Sequence, residues 1–259
     1  MKVLKHYFFI LIFIALACED KIPSTTLTTD STKLLDKIMQ GDNILFDFSY
    51  NDKNLLIQMD KYFDDTIYTS YYFSYDSLNR ISEKKYYGYT EKYQYNNDGK
   101  LSEMKRYYPY TNKTWKTIYT YKDGRIASGE NYFNGNPSSF LKFTYDANGN
   151  TTERKEYFYG DYIPGDEEQI IKQQKFQYDN KINPIPAYCM NDAAVVQKNN
   201  PVYSYLYDIV MSSFPPEFNI SYIYDSLNLP LMQTSNNISY SSSSTQTVIY
   251  DYVYREINK

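Results

Sequence analysis

The chain has 259 residues, a formal charge of −4, 33 tyrosines, one histidine and two cysteines. Its charges are mildly acidic in sum and interspersed, which excludes the basic footprint of a nucleic-acid or anionic-lipid binder. The single histidine, His6, lies in the first segment described below, and its removal excludes Ser-His-Asp catalysis, Cys-His catalysis and His-ligated metal sites.

Residues 1–17 read as a bacterial signal peptide. Lys2 and Lys5 form a basic start, Tyr7 to Leu16 an apolar stretch, and Ala15-Leu16-Ala17-Cys18 a small-residue cleavage site ending in cysteine. The apolar stretch, about ten residues, is too short to span a bilayer of roughly 30 Å. The site resembles a lipobox, which implies a mature chain that begins at an acylated Cys18. Two or more acyl chains hold a protein stably on a membrane. Without Lys2 and Lys5 the 27 basic residues become 25 against 31 acidic ones, a net charge of −6. Cys189 is then the one free thiol, so disulfides within a monomer are excluded, and with no histidine to activate it Cys189 reads as a small semi-buried apolar residue.

Residues 18–32 comprise this cysteine and a polar, Thr/Ser-rich tether. Residues 33–259 read as a single domain. Lys33 to Gln40 fits a helical stripe or a strand turning at Gly41-Asp42-Asn43, and the strand is preferred because everything downstream is strand. From Ile44 to Tyr178 a unit recurs: aromatic-x-Tyr, then Asp or Asn, then a turn ending in Gly or Asn. It begins as Phe48-Ser49-Tyr50-Asn51, Phe73-Ser74-Tyr75-Asp76 and Tyr93-Gln94-Tyr95-Asn96. It continues as Tyr119-Thr120-Tyr121-Lys122, Phe143-Thr144-Tyr145-Asp146, Phe176-Gln177-Tyr178-Asp179 and Tyr222-Ile223-Tyr224-Asp225. Aromatic residues alternating with small polar ones mark antiparallel strands with one buried and one wet face. The Gly/Asn turns tolerate the positive φ of short hairpin loops.

Seven such units supply about 14 strands, more than a twisted open sheet carries without curling. The expected fold is all-β: an antiparallel up-and-down meander curled into a barrel, half-barrel or trough with a tyrosine-rich inner face. Each buried hydroxyl then needs a partner. Prolines 184, 186, 201, 215 and 216 break the pattern, so 181–218 reads as an irregular insertion with a short helix near Tyr203 to Met211. Asn219 to Tyr224 and Thr247 to Tyr254 resume the strand pattern, with Ser239 to Ser244 as a loop between them.

These units resemble YD repeats of the Rhs-like class, with the pair intact at Tyr75-Asp76, Tyr145-Asp146, Tyr178-Asp179 and Tyr224-Asp225 and relaxed to Tyr50-Asn51, Tyr95-Asn96 and Tyr121-Lys122. Lipobox, tether, irregular units and the stretch Tyr178 to Pro184 together are similar to a family of uncharacterised Bacteroidetes-type lipoproteins with a porin-like β fold. The resemblance covers roughly residues 33–257 and implies no catalytic residue. Glu19-Asp20 after the cysteine resembles the surface-export signal of such lipoproteins, which implies the outer face of the outer membrane.

Glu83, Glu103 and Glu153 recur at one position of successive return strands beside Lys85, Lys105 and Lys155, an arrangement to weigh as glycosidase carboxylates against an ordinary charge ladder. Turn chemistry accounts for the calcium-loop look of Asn96 to Gly99 and Asp146 to Asn150. No cofactor or metal is implied. Trp115, Tyr75, Tyr95, Tyr121 and Tyr145 are the candidate ligand-binding residues, since flat rings with hydroxyl tips stack on sugars or hold peptide side chains. The reading is a non-enzymatic, membrane-anchored envelope module for a glycan or a cell-surface protein. A structural scaffold docking through exposed sheet edges or the 181–218 insertion is the alternative, and a carboxylate-dependent glycan hydrolase a remote third.

Overall fold

The computed structural model describes residues 33–158, 170–185, 197–208, 217–239 and 244–257. All elements among them are strands: β1 (Lys33–Gln40), β2 (Asn43–Tyr50), β3 (Leu56–Phe63), β4 (Thr66–Tyr75), β5 (Ile81–Tyr86), β6 (Tyr89–Tyr95), β7 (Leu101–Tyr108) and β8 (Lys113–Lys122). The second half supplies β9 (Arg125–Phe133), β10 (Asn136–Tyr145), β11 (Thr151–Phe158), β12 (Ile170–Ile182), β13 (Asn199–Asp208), β14 (Glu217–Tyr224), β15 (Pro230–Ser239) and β16 (Ser244–Glu256). Each strand pairs antiparallel with its neighbours in sequence, and β1 pairs β16, so the meander closes into a 16-stranded barrel. Closure leaves the sheet no lateral edge, which removes one of the two docking surfaces of the scaffold reading.

The seven units of the sequence supply β2 to β15, and β1 and β16 bring the count of about 14 to 16. β13, the return strand of the Tyr178 unit, runs through the stretch 181–218 that reads as an irregular insertion, and its Tyr203 to Asp208 are strand where a helix is expected. Residues 209–211 of that helix lie outside the described set, as do 240–243 of the expected loop, Cys189 and everything before Lys33. β16 carries Tyr252-Val253-Tyr254, an eighth unit without the following acid.

The unit has a physical explanation. At every junction of an even strand with the following odd one, and at β16/β1, the register skips one residue: Asp36, Ile57, Ser82, Ser102, Ala127, Thr152, Val202 and Leu231. Such a bulge takes backbone groups out of the ladder. The carbonyl just before each skipped residue accepts a hydrogen bond from a tyrosine hydroxyl. Tyr50 donates to Leu35 O (2.8 Å), Tyr75 to Leu56 O (2.7 Å), Tyr95 to Ile81 O (2.8 Å) and Tyr121 to Leu101 O (2.8 Å). Tyr145 donates to Ile126 O (3.0 Å), Tyr178 to Thr151 O (2.7 Å), Tyr222 to Pro201 O (3.1 Å) and Tyr254 to Pro230 O (2.9 Å). Pro201 and Pro230 fit because the position needs a carbonyl at a strand start and no N–H.

One unit departs from the rule. Tyr224 stands where the other donors stand, but its hydroxyl bonds to the Asp179 carboxylate and Tyr222 takes the carbonyl instead.

The acid after the tyrosine builds the turn. Oδ1 of Asp76 accepts the amides of Leu78 and Arg80, and Asn51, Asn96 and Asp225 do the same for the residues two and four further on. The fourth turn residue has positive φ: Asn54 (59°), Asn79 (58°), Gly99 (77°), Gly149 (85°) and Asn228 (61°). An acceptor oxygen is all the turn requires, so asparagine substitutes for aspartate. Lys122 is tolerated because its turn is two residues long, Asp123 (φ 51°) and Gly124 (φ 82°), and leaves no inner amides to bind.

Two residues before seven of the eight unit tyrosines lies a buried aromatic: Phe48, Phe73, Tyr93, Tyr119, Phe143, Phe176 and Tyr252, at 2–8% exposure, while Tyr222 before Tyr224 is half-buried. They pack with Leu35, Leu56, Ile81, Leu101 and Ile126 in one cluster. Sixteen-stranded barrels commonly enclose an aqueous channel. Here side chains that face inward at a few per cent exposure show an interior filled with protein at this level. Tyr121→Phe, which strips a donor from the Leu101 carbonyl, is expected to lower unfolding free energy by about 1–3 kcal/mol in urea denaturation. The same change at exposed Tyr87 should cost under about 0.5 kcal/mol.

Candidate functional site

The interior changes character with distance from the tyrosine belt. Four residues before the tyrosine the inward position is Glu91 on β6, Thr117 on β8 and Leu141 on β10, while Lys84 faces inward from β5 and Asn131 from β9. Glu91, at 4% exposure, holds the centre of a charged network. Its Oε1 accepts from Arg106 Nε (2.8 Å) and Nη2 (2.5 Å), Lys84 Nζ lies 3.7 Å from Oε2, and Tyr93 donates to Oε2 at 2.6 Å. Burial alone would raise the Glu91 carboxyl, but the Lys84 and Arg106 charges beside it outweigh that and hold it below the usual carboxylate range.

A second polar cluster continues around the wall. Thr117 Oγ1 donates to Asn131 Oδ1 (2.7 Å), and Asn131 Nδ2 donates to Ser139 Oγ (2.8 Å) and to Glu156 Oε1 (3.1 Å). Ser139 donates to the same carboxylate at 2.6 Å, and Arg154 lies 3.5 Å from its other oxygen. Both carboxylates are therefore engaged by cations and donors, an arrangement that holds charge in place.

Aromatic rings pair between neighbouring strands toward this end of the barrel. Tyr71 stacks on Tyr86 (4.8 Å), Tyr86 meets Tyr89 (5.0 Å), Tyr89 meets Tyr108 (5.7 Å), and Trp115 meets Phe133 (5.0 Å). The Arg106 guanidinium lies 4.7 Å from the Tyr89 ring and Lys84 Nζ 5.6 Å from Tyr71. Two cations thus lie over half-buried rings at this end of the barrel.

The sequence candidates do not assemble into one site. Tyr75, Tyr95, Tyr121 and Tyr145 lie in the belt with their hydroxyls given to backbone carbonyls, whereas Trp115 lies six residues from Tyr121 along β8, about 20 Å away. Glu83, Glu103 and Glu153 sit on the outer wall, where Glu83 pairs with Lys85 (2.9 Å) and Glu153 with Lys155 (3.0 Å), so they form a charge ladder. Asp146 Oδ1 and Oδ2 accept from the Asn150 backbone and side-chain amides, which is turn chemistry.

Glu91, Asn131 and Glu156 escaped the sequence reading, and the runs Lys84 to Tyr87 and Lys105 to Tyr108, which read as solvated strand faces, instead send Lys84 and Arg106 to the buried Glu91. Glu91 carried a visible signal, being a charge in register with Tyr93 and Tyr95 on the face that alternation assigns to the interior.

The outer wall carries exposed lysines. Lys85, Lys92, Lys105 and Lys142 are exposed on its strands, and a lipid-facing lysine costs up to about 2–4 kcal/mol. Fold and interior thus define a closed, 16-stranded antiparallel barrel with a buried aromatic belt and a charged network inside. A porin-like protein from Bacteroides uniformis ATCC 8492 matches it with a TM-score of 0.51 at 12% identity, over 86% of this chain and 96% of that one. A porin-like protein from Bacteroides vulgatus ATCC 8482 aligns with a TM-score of 0.37 at 10% identity, over 86% and 99%. No protein-family model matches the chain, and no curated protein matches it in sequence. At such identity the first likeness carries the fold alone.

The charged network makes a pH prediction. Since Glu91 titrates lower folded than unfolded, its contribution is complete above the ordinary glutamate value of 4.5 and is lost as pH falls through the depressed one. Glu91→Gln, which leaves Lys84 and Arg106 without their counter-charge, is expected to cost about 3–5 kcal/mol near neutral pH. Urea melts from pH 7 to 3 should show a shallower acid decline in the variant than in the wild type.

Proposed function

We propose that the protein is a lipid-anchored, non-enzymatic binding module of the bacterial outer membrane, exposed at the cell surface, for a glycan or a protein partner. The leader 1–17 exports it, Cys18 carries the lipid and 19–32 serve as the tether. In this reading it is a YD-repeat lipoprotein, which the repeated tyrosine units and the porin-like fold support.

One observation carries the proposal. The barrel begins at Lys33, whose Nζ lies 3.3 Å from Asp225 in the β14–β15 turn, so the tether enters at the belt end. The most exposed aromatics gather at the other end: Phe63 (67%), Tyr68 (68%), Tyr87 (78%), Tyr110 (76%) and Phe158 (59%). An anchored barrel therefore turns its polar turns to the membrane and an aromatic rim outward, where exposed apolar patches serve recognition. Interior cations over half-buried rings near Trp115 add a second ligand-competent surface on the same side.

Replacing Cys18 with alanine should move the protein from the membrane pellet to the soluble fraction, and its persistence in the pellet would remove the anchor. A bound ligand at a hundredfold excess over Kd adds about 2.7 kcal/mol, a thermal shift of roughly 5–10 °C for a domain of this size. Loss of that shift in Trp115→Ala would place the ligand in the interior end.

A further inference from the structure

The β3–β4 hairpin is taller than its neighbour. β4 pairs with β5 only from Tyr71 opposite Tyr86 downward, so Thr66 to Ser70 stand beyond the β5–β6 turn with one backbone side unpaired by the sheet. In the step between this overhang and the tip of β5 lies an open cleft of about 520 Å³, within the size range of ligand sites. Tyr68, Thr69, Ser70 and Tyr72 line one side, Tyr86 and Tyr87 the other.

Three features mark the cleft as built for a polar, ring-shaped ligand. Tyr68, Tyr72 and Tyr87 are 68%, 50% and 78% exposed. Among the described residues none of their hydroxyls has a protein partner, in contrast to the eight hydroxyls of the belt. Thr69 is 8% exposed, lines the cleft and has a buried Oγ1 without a hydrogen-bond partner. Finally, no residue from Thr66 to Tyr75 is charged, so the overhang lacks the lysines and prolines that usually guard an unpaired strand.

We propose that this cleft is a saccharide-binding site. Tyrosine faces supply the flat apolar surfaces on which pyranose C–H groups stack, and the free hydroxyls, Ser70 and the unpaired β4 backbone supply the donors and acceptors that sugar hydroxyls need. The lining's one charge, Lys85, is paired with Glu83, which suits a neutral sugar better than an anionic one. The inference rests on the reading of the protein as a surface binding module. It places the ligand on the rim, apart from Trp115 and the Glu91 network.

The test uses the full-length protein in detergent, with calorimetric titration of cellohexaose, xylohexaose, mannohexaose and N-acetylchitohexaose. At least one should bind, with affinity falling tenfold or more in Tyr68→Ala and in Tyr72→Ala and staying within twofold in Trp115→Ala. Both tyrosines are exposed, and unchanged thermal melts of the variants would confirm intact folding. Loss of binding in Trp115→Ala alone would overturn the cleft while leaving a glycan module standing. Binding of an acetylated Thr-Val-Thr-Val-Thr-Val peptide with all four sugars silent would overturn the saccharide and assign the overhang to strand addition. Silence of both sugars and peptide would overturn the site, and fractionation of Cys18→Ala would still decide the anchor separately.

Discussion

The hydrogen bond from a buried tyrosine hydroxyl to a carbonyl at a bulge is the interaction on which the rest of the barrel depends. Each donor but Tyr222 pairs in register with the acceptor residue of the next unit and bonds to the carbonyl of its own, so Tyr50 links Leu35 and Leu56, Tyr75 links Leu56 and Ile81, and so on round to Tyr254, which pairs with Leu35; on β14 the two tasks are split, Tyr224 pairing with Pro230 and Tyr222 bonding to the Pro201 carbonyl. Burial of Tyr95, Tyr121, Tyr178 and Tyr254 pushes their hydroxyls above the ordinary tyrosine range, which keeps the donors protonated. Phenylalanine would fill the same volume but leave a buried acceptor unmet. The abundance of tyrosine in this chain is thus first a matter of backbone accounting.

That constraint also explains which features were legible in sequence. Alternation gave the inward face, and the Asp/Asn-x-x-Gly/Asn spacing located the turns, because both arise from interactions within a few residues. The strand β13 was hidden by Pro201, which looks like a strand breaker until the need for a carbonyl alone is recognised. Tyr254 was hidden because β16 leads into no Asx turn. The partners of the hydroxyls could not be read, since the acceptor is main chain and leaves no residue signature. The Lys84–Glu91–Arg106 network depends on neighbouring strands lining up at one height, and the bulges fix that alignment.

The two ends of the molecule are chemically distinct. At the belt end side chains serve the backbone: hydroxyls meet carbonyls and carboxylates meet amides, as at Asp76 and Asp225, whose carboxyls are held below the usual range because the amide and cation contacts outweigh burial. At the far end side chains serve one another, in ring stacks and ion pairs, or face solvent unpartnered. Turn chemistry repeats at the first end and varies at the second, where hairpins differ in height and content. Variation confined to one end of a uniform scaffold is the arrangement in which recognition can change while the fold stays constant.

The equivalence of the units carries a cost during folding. A strand pair that docks one unit out of place would still find a bulge, a carbonyl and a tyrosine, so the belt alone cannot tell the right neighbour from the next one. Deviations from the pattern act as addresses: the two-residue turn at Asp123-Gly124, the exchange of Tyr222 and Tyr224 around Asp179, and the Glu91 network each fit a single place on the circumference. Irregularity in this chain is therefore what makes a repetitive ring close in one order.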